Sequence, residues 1–345
     1  MPLGLQDSSV ARSASGVDYA ELRRTIIAAG LLKRAYWYYL FRTITCFGLL
    51  ALAIALPFVL PATFGWTVLI AMLLGFAVVQ VALIGHDAGH LEVFQATRKN
   101  WALGQLCWTL TAGVGFWYWN DRHNRHHGHT NDVAEDPDIQ GKGLLAVTFT
   151  EQEGATRHGW RRIATKYQFI IVFLAILFIS LAFRVEGGLF ALRRLGGRRR
   201  FFEIALLSLN LLLWAILMIV LGWRGACIFL GSHIMASLYL GAIIAPNHTG
   251  MPVWAKGARL SFLERQVLSS RNVTSHPVWD FLFGGLNYQI EHHLFPTMPR
   301  VHFKRARSIV RPFCAAHGLS YEEVDPLTSY RMIYAEYRRV RHAVA

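Results

Sequence analysis

Trp119-Asn120-Asp121-Arg122-His123-Asn124-Arg125-His126-His127-Gly128-His129-Thr130-Asn131 places four of the chain's fifteen histidines within thirteen residues. His123, His126 and His127 stand at i, i+3 and i+4, so on a helix their rings share one face, a turn apart. A helix presents several imidazoles to metal in this way. Two other stretches repeat the theme. His86-Asp87-Ala88-Gly89-His90 carries an i, i+4 pair, and Gln289-Ile290-Glu291-His292-His293 carries adjacent histidines with a side-chain amide three residues before the first. Asp87 is suited to orient an imidazole from behind, and Gly89 leaves room for another element to approach. His129 breaks the spacing and reads as a surface residue.

Around these clusters the chain is apolar. Of its 345 residues, 54% are hydrophobic and 16% charged, against a usual charged share of roughly 25%. The mean hydropathy is +0.32. Long apolar runs point to an integral membrane protein. The net charge of +14 then belongs to arginine-rich flanks that meet anionic lipid. No nucleic-acid partner is expected, because no zinc finger, G-x-G-x-x-G or P-loop pattern supports one. Cys46, Cys107 and Cys227 lie in apolar surroundings and read as small buried hydrophobes. The first 33 residues carry no secretory pattern. No electron-transfer domain is expected at the front, so an enzyme of this kind would be fed by a separate donor.

The shared-site requirement decides the topology. Residues 1–36 read as a cytosolic N-terminal segment, amphipathic from 17 to 36 and expected to lie along the membrane face. Residues 43–60 and 64–85 form a first helical hairpin, bounded by Pro57 and Pro61, and the second crossing runs straight into His86. If 99–119 also crossed, His90 and His123 would face opposite sides. That segment is therefore expected to be interfacial, with Trp117, Tyr118 and Trp119 in an interface belt. Residues 130–165 read as a solvated loop or surface helix with an acidic patch at Asp132, Glu135, Asp136 and Asp138. The same argument makes 167–183 interfacial or re-entrant, although its hydropathy alone would make a span. Residues 203–221 and 225–246 form the second hairpin. The expected fold is all-α, with four transmembrane helices in two hairpins and a cytosolic helical cap. The membrane domain covers 37–320 and a cytosolic tail covers 321–345. Arginines at 193, 194, 198, 199 and 200 put the shared face in the cytoplasm.

The candidate ligands are His86, His90, His123, His126, His127, His248, His292 and His293. One zinc takes three or four ligands, so eight imidazoles imply two metals. Imidazole alone does not separate iron, zinc and copper. Absent thiolates and a site opening toward lipid favour iron, which activates O2 and attacks unactivated C–H bonds. Gln289 is a candidate water-mediated contact, and Asp87, Asn247 and His276 are candidates to brace ligands. Phe116, Trp117, Trp119 and Tyr288 are candidates for an acyl tunnel, with interface anchoring as the alternative. His233, inside the last span, reads as structural. His86-Asp-x-x-His90 is close to the zinc-protease H-E-x-x-H, but that reading leaves the other clusters unexplained.

Taken together, these boxes resemble those of the integral membrane fatty acid desaturases. Gln289-x-x-His292-His293, Pro246-Asn247-His248-Thr249-Gly250-Met251, Arg271-Asn272-Val273 and Gly284-Gly285-Leu286-Asn287-Tyr288 are similar to the front-end (Δ5/Δ6-like, linoleoyl-CoA desaturase-like) branch. The resemblance covers roughly residues 35–320. It implies two iron ions (Fe2+/Fe3+) held by the boxes and His248, with O2 as co-substrate. It implies a cis double bond introduced into a lipid-linked or CoA-linked acyl chain. Electrons would come from ferredoxin or cytochrome b5 through an NAD(P)H-dependent reductase. Many eukaryotic members carry a fused cytochrome b5 domain with His-Pro-Gly-Gly. That motif does not occur in this sequence, so a free carrier and a bacterial inner membrane are expected. The alternatives are a di-iron acyl or lipid hydroxylase and a non-catalytic, metal-stabilised lipid-binding membrane protein.

Overall fold

The computed structural model describes residues 19–139 and 156–342. The start of the N-terminal segment, the middle of the 130–165 stretch and the last three residues of the tail lie outside the described residues. The chain forms two compact units. One comprises 34–121 with 175–241, and the other comprises 1–33, 122–174 and 242–345.

Among the described residues, four helices are long and apolar enough to cross a membrane: Tyr36–Val59, Phe64–Gly89, Gly197–Leu221 and Trp223–His248. The chain is thus an all-α integral membrane protein. Their roles differ in burial. In its most apolar window Phe64–Gly89 is 67% buried, whereas Gly197–Leu221 is 6% buried. The former is the inner helix of its unit, and the latter presents Leu211, Leu212, Leu213 and Ile219 outward. Such a band of exposed leucine is tolerable where the surrounding medium is as apolar as the side chains. Inner packing uses small residues. A Cβ on Gly75 would sit 2.5 Å from the Ser232 carbonyl oxygen, so only glycine lets these two helices approach so closely.

The first crossing starts at Tyr36 and runs through Pro57 to Val59, so Pro57 lies in its last turn and Pro61 follows it. Thr63 caps the next helix by accepting from the Trp66 N–H at 3.4 Å. At this end of the unit Arg224 is buried. It donates through Nη1 to the carbonyls of Pro57 (2.6 Å) and Leu60 (3.0 Å), and through Nη2 to Pro61 (3.1 Å). The Pro57 carbonyl is one that the helix end leaves without an intrahelical donor, and Leu60 and Pro61 belong to the turn that follows.

Residues 99–119 become the helix Thr97–Gly104, a π-helix Gln105–Ala112 and the start of Phe116–Gly128. A π-helix is rare because its wider turn packs poorly, so it needs fastening. Glu203, 1% exposed, supplies this. Its carboxylate accepts from Gln105 Nε2, Thr109 Oγ1 and the Trp117 N–H, each at 3.2 Å. The apolar stretch at 167–183 is not one straight helix. Gln168–Ile176 and Ile179–Arg194 meet at a 70° bend.

The other unit has its own core. Leu22, Ile26 and Leu31 are fully buried with Leu263, Val267, Ile290, Leu294, Phe303 and Val310. The N-terminal amphipathic helix, Tyr19–Ala28, therefore turns its apolar face into protein, not onto a lipid surface. The reason is partner supply: Phe303–Ala316 offers Phe303, Ala306, Val310 and Cys314 on one face, and the two stripes cover each other. The 262–268 helix is short but opens on a capping box, with Ser261 Oγ accepting from the Glu264 N–H and Glu264 from the Ser261 N–H. Asn272–Val273 pairs in parallel with Glu323–Val324. Cys46, Cys107 and Cys314 are buried. Cys227 is exposed, contrary to its expected burial, because its helix turns that residue outward.

Candidate metal centre

Three separate segments of the second unit deliver histidines to one place. Phe116–Gly128 carries His123, His126 and His127, Trp223–His248 ends on His248, and Gln289–Leu294 carries His292 and His293. His127 stacks on His293 with centroids 4.0 Å apart and planes 11° off parallel. His126 and His248 are 4.7 Å apart, as are His127 and His292. The helical i, i+4 pair brings His123 Nε2 to 3.1 Å from His127 Nε2. His126 Nε2 lies 3.3 Å from His248 Nε2.

These separations suit metal. Two nitrogens bound at about 2.0–2.1 Å and at near-tetrahedral or right angles lie about 2.8–3.4 Å apart. The stronger test is the other ring nitrogen. His126 Nδ1 faces the Asp136 carboxylate at 2.9 and 3.1 Å, His248 Nδ1 faces the Ser269 carbonyl at 2.8 Å, and His293 Nδ1 faces Gln266 Oε1 at 2.9 Å. Each partner is an oxygen acceptor, which holds the proton on Nδ1 and turns an unprotonated Nε2 toward the cluster. The ligand atoms of these three residues lie within 4.8 Å of one another. The residues present therefore fit a divalent metal.

Burial works against a charged His126, yet Asp138 and Asp136 outweigh it and hold its pKa above the usual imidazole value. Asp136 is buried as well, but its bond to His126 keeps the carboxyl below its ordinary range. Burial pushes the Glu291 carboxyl up to about 7, although hydrogen bonds from Tyr321 and Asn272 pull the other way. That network fixes the 289–294 helix from behind: Tyr321 donates to Glu291 at 2.7 Å, and Asn272 donates to Glu291 at 2.7 Å while accepting from the Ile290 N–H at 2.9 Å. Arg271 does the same for His248. It is fully buried and donates to the Pro246 carbonyl at 2.8 and 2.5 Å and to the Thr249 carbonyl at 3.0 Å. The C-terminal end of the helix carrying His248 is thus closed.

Gln289 sits beside the cluster with its oxygen turned away. Asn247 Nδ2 donates to Gln289 Oε1 at 3.0 Å, and Gln289 Nε2 lies 2.9 Å from His248 Nε2. His276 is exposed and caps the 277–282 helix by accepting from the Val278 N–H at 3.3 Å. Tyr288 lies in the unit's core, its hydroxyl bonded to Ser275 at 2.6 Å and Asp280 at 3.1 Å. His129 is exposed.

In the first unit, His86 and His90 are buried at the end of Phe64–Gly89, with ring centroids 4.8 Å apart. His86 Nδ1 is 3.2 Å from Asp87 Oδ1, the same oxygen-behind-imidazole pattern. Glu92, fully buried, lies in the group with His86 and Asp87 and accepts from the Tyr39 hydroxyl at 2.7 Å. Trp119 packs edge-on to His86 at 5.4 Å and stacks on Trp108 at 4.9 Å. It sits where a Cβ on Gly89 would be, 2.3 Å from Trp119 Cζ3. Phe116 is fully buried. Trp117 is half-buried, with the Arg199 guanidinium 4.5 Å over its ring. His233 bonds the Phe229 carbonyl four residues back at 2.8 Å, a structural use.

Sequence reasoning missed three of the residues behind these histidines. Asp136 read as part of a solvated acidic patch, yet it is fully buried. Its signal was an acid following a histidine cluster by ten residues. Gln266 and Ser269 gave no signal, since one acts through an ordinary amide and the other through its backbone.

A family model described as fatty acid desaturase matches residues 63–325. The chain is 27% identical to a Delta(6)-fatty-acid desaturase of Caenorhabditis elegans over 342 residues, which cover 94% of this chain and 75% of the relative. A Delta(5) fatty acid desaturase of the same nematode is 25% identical over 99% of this chain and 78% of its own length. A Delta 8-(E)-sphingolipid desaturase of Candida albicans is 33% identical over 88% of this chain, a match spanning 54% of the yeast protein.

Proposed function

Because the chain belongs to the fatty acid desaturase family, whose members are oxidoreductases, we propose that it uses O2 at a di-iron centre to introduce a cis double bond into a lipid-linked or CoA-linked acyl chain. The observation that carries this reading is the trio His126, His248 and His293, each with Nδ1 against an oxygen acceptor. The seven histidines of the boxes and His248 are the proposed ligands of both irons. None of the candidate ligand groups found among the described residues contains a cysteine, and an all-nitrogen and oxygen set accords with iron.

When bound, the iron pair supplies reductive activation of O2. In balance, two hydrogens leave adjacent methylenes, O2 accepts these with two electrons and two protons, and two waters form. The chain's own residues hold and orient. Asp136, the Ser269 carbonyl and Gln266 keep three imidazoles in the Nε2-ligating tautomer. Trp108, Trp119 and Phe116 keep water from the histidine pair in the first unit, and with Trp117 they are the proposed lining of an acyl path. Tyr288 is left out of that lining, because its ring and hydroxyl are engaged in a protein core. The exposed arginines of 193–200 support a cytosolic site fed by a separate carrier, ferredoxin or cytochrome b5 with a reductase. The relatives named above are a nematode's and a yeast's. They lend nothing to the bacterial origin expected from the sequence.

The test is expression in a host of defined lipid composition, with gas chromatography–mass spectrometry of acyl chains and sphingoid bases. The expected result is a new monounsaturated product that is absent from a His126→Ala variant, and purified protein holding about two irons per chain. A hydroxylated product instead of an alkene would refute desaturation. One zinc per chain would refute the di-iron reading.

A further inference from the structure

Gln266 lies in Phe262–Leu268, the helix opened by the Ser261–Glu264 capping box. Its side chain is fully buried, and both ends of the amide are engaged. Nε2 donates to the His127 carbonyl at 3.0 Å. Oε1 lies 2.9 Å from His293 Nδ1 and 3.0 Å from Thr130 Oγ1, which itself lies 3.2 Å from His293 Nδ1. The His127 carbonyl fixes which way the amide faces. Turned over, the amide would set its oxygen against another oxygen and its NH2 against the imidazole. An amide oxygen only accepts, so His293 must carry its proton on Nδ1.

We propose that Gln266 is a positioning residue that sets the His293 tautomer and ties it to the backbone of His127, so that both rings reach metal together. This rests on the metal reading of the cluster above. The stacking of His127 on His293, 4.0 Å between centroids, follows from the same link, since one side chain holds the first residue's backbone and the second residue's ring. Gln266 thereby does for His293 what Asp136 does for His126 and the Ser269 carbonyl does for His248. Thr130 closes the arrangement, with its Oγ1 3.0 Å from the His126 carbonyl.

The test compares the full-length protein in detergent with Gln266→Leu, which has similar bulk but no acceptor, and Gln266→Glu. A carboxyl at this position keeps an oxygen acceptor facing His293 Nδ1, as the Asp136 carboxylate does for His126. The readout is ferrous iron affinity per folded chain, by anaerobic competition with a chromogenic chelator, with folding checked by far-ultraviolet circular dichroism. Gln266→Leu is expected to lose about ten- to a hundredfold in affinity, and Gln266→Glu to stay within about fivefold of the parent. A merely structural role would lower the melting temperature and leave affinity per folded chain unchanged. That result in Gln266→Leu overturns the proposal. If Gln266→Leu does not fold, Gln266→Glu decides, and a loss beyond tenfold overturns it. A parent protein that binds no iron refutes the metal reading itself, which is a different outcome from equal binding by parent and variant.

Discussion

Arg224 gives the most direct test of what holds the membrane-spanning unit together. Arg224→Met keeps much of the side chain's length and removes every donor. The guanidinium makes three bonds to carbonyls at 2.6, 3.0 and 3.1 Å, at the negative end of the Tyr36–Val59 helix. Taking the low end of the net worth of a bond to a charged group, about 1.5 kcal/mol, the three bonds contribute about 4.5 kcal/mol. Ordering a long side chain takes back about 1–2 kcal/mol, which leaves roughly 3 kcal/mol. For a domain of 150–250 residues that is a fall in melting temperature of roughly 6–12 °C. The chain carries its own reporters, because Cys46 and Cys107 are buried in this unit. In a Cys227→Ser, Cys314→Ala background, a thiol-reactive fluorogenic dye reads the unfolding of this unit alone. Arg224→Lys, with a single ammonium, should recover about half of the loss. A melting temperature within about 2 °C of the parent in Arg224→Met would refute the reasoning. It would mean that removing the guanidinium's dehydration cost offsets all three bonds.

Other outcomes follow from named contacts. Gly89→Val should displace Trp119, whose Cζ3 would lie 2.3 Å from the new Cβ. At least a tenfold fall in product per folded chain is expected in the whole-cell lipid assay, and unchanged product would show that the indole does not support His86. Glu203→Leu leaves three donors facing an apolar side chain. A loss of about 2–4 kcal/mol is expected in the same dye melt, partly recovered by Glu203→Gln. Arg271→Met opens the end of the helix that carries His248. Chelator competition should show about tenfold weaker iron binding with helix content unchanged.

Much of this molecule was legible along the chain. The spanning helices follow from apolar runs, because hydropathy measures the transfer of each side chain out of water, and that transfer is local. His123 and His127 could be paired by spacing alone, since four residues make about one helical turn. Spacing did not say that Tyr19–Ala28 would bury Leu22 and Ile26 in protein, because an apolar stripe is equally satisfied by lipid or by another stripe. It also gave no partner for Arg224, which bonds a carbonyl 167 positions away, or for Gln266, which bonds one 139 positions away. Composition could not tell the buried Asp132 and Asp136 from the exposed Glu135 and Asp138 beside them. A hydrogen bond needs direction as well as proximity, and direction is set only when segments remote in sequence pack together. The sequence by itself determined where imidazoles cluster and which segments are apolar enough to sit in lipid. The tertiary structure decided which oxygen stands behind each imidazole, and so which ring nitrogen of His126, His248 and His293 faces away from it.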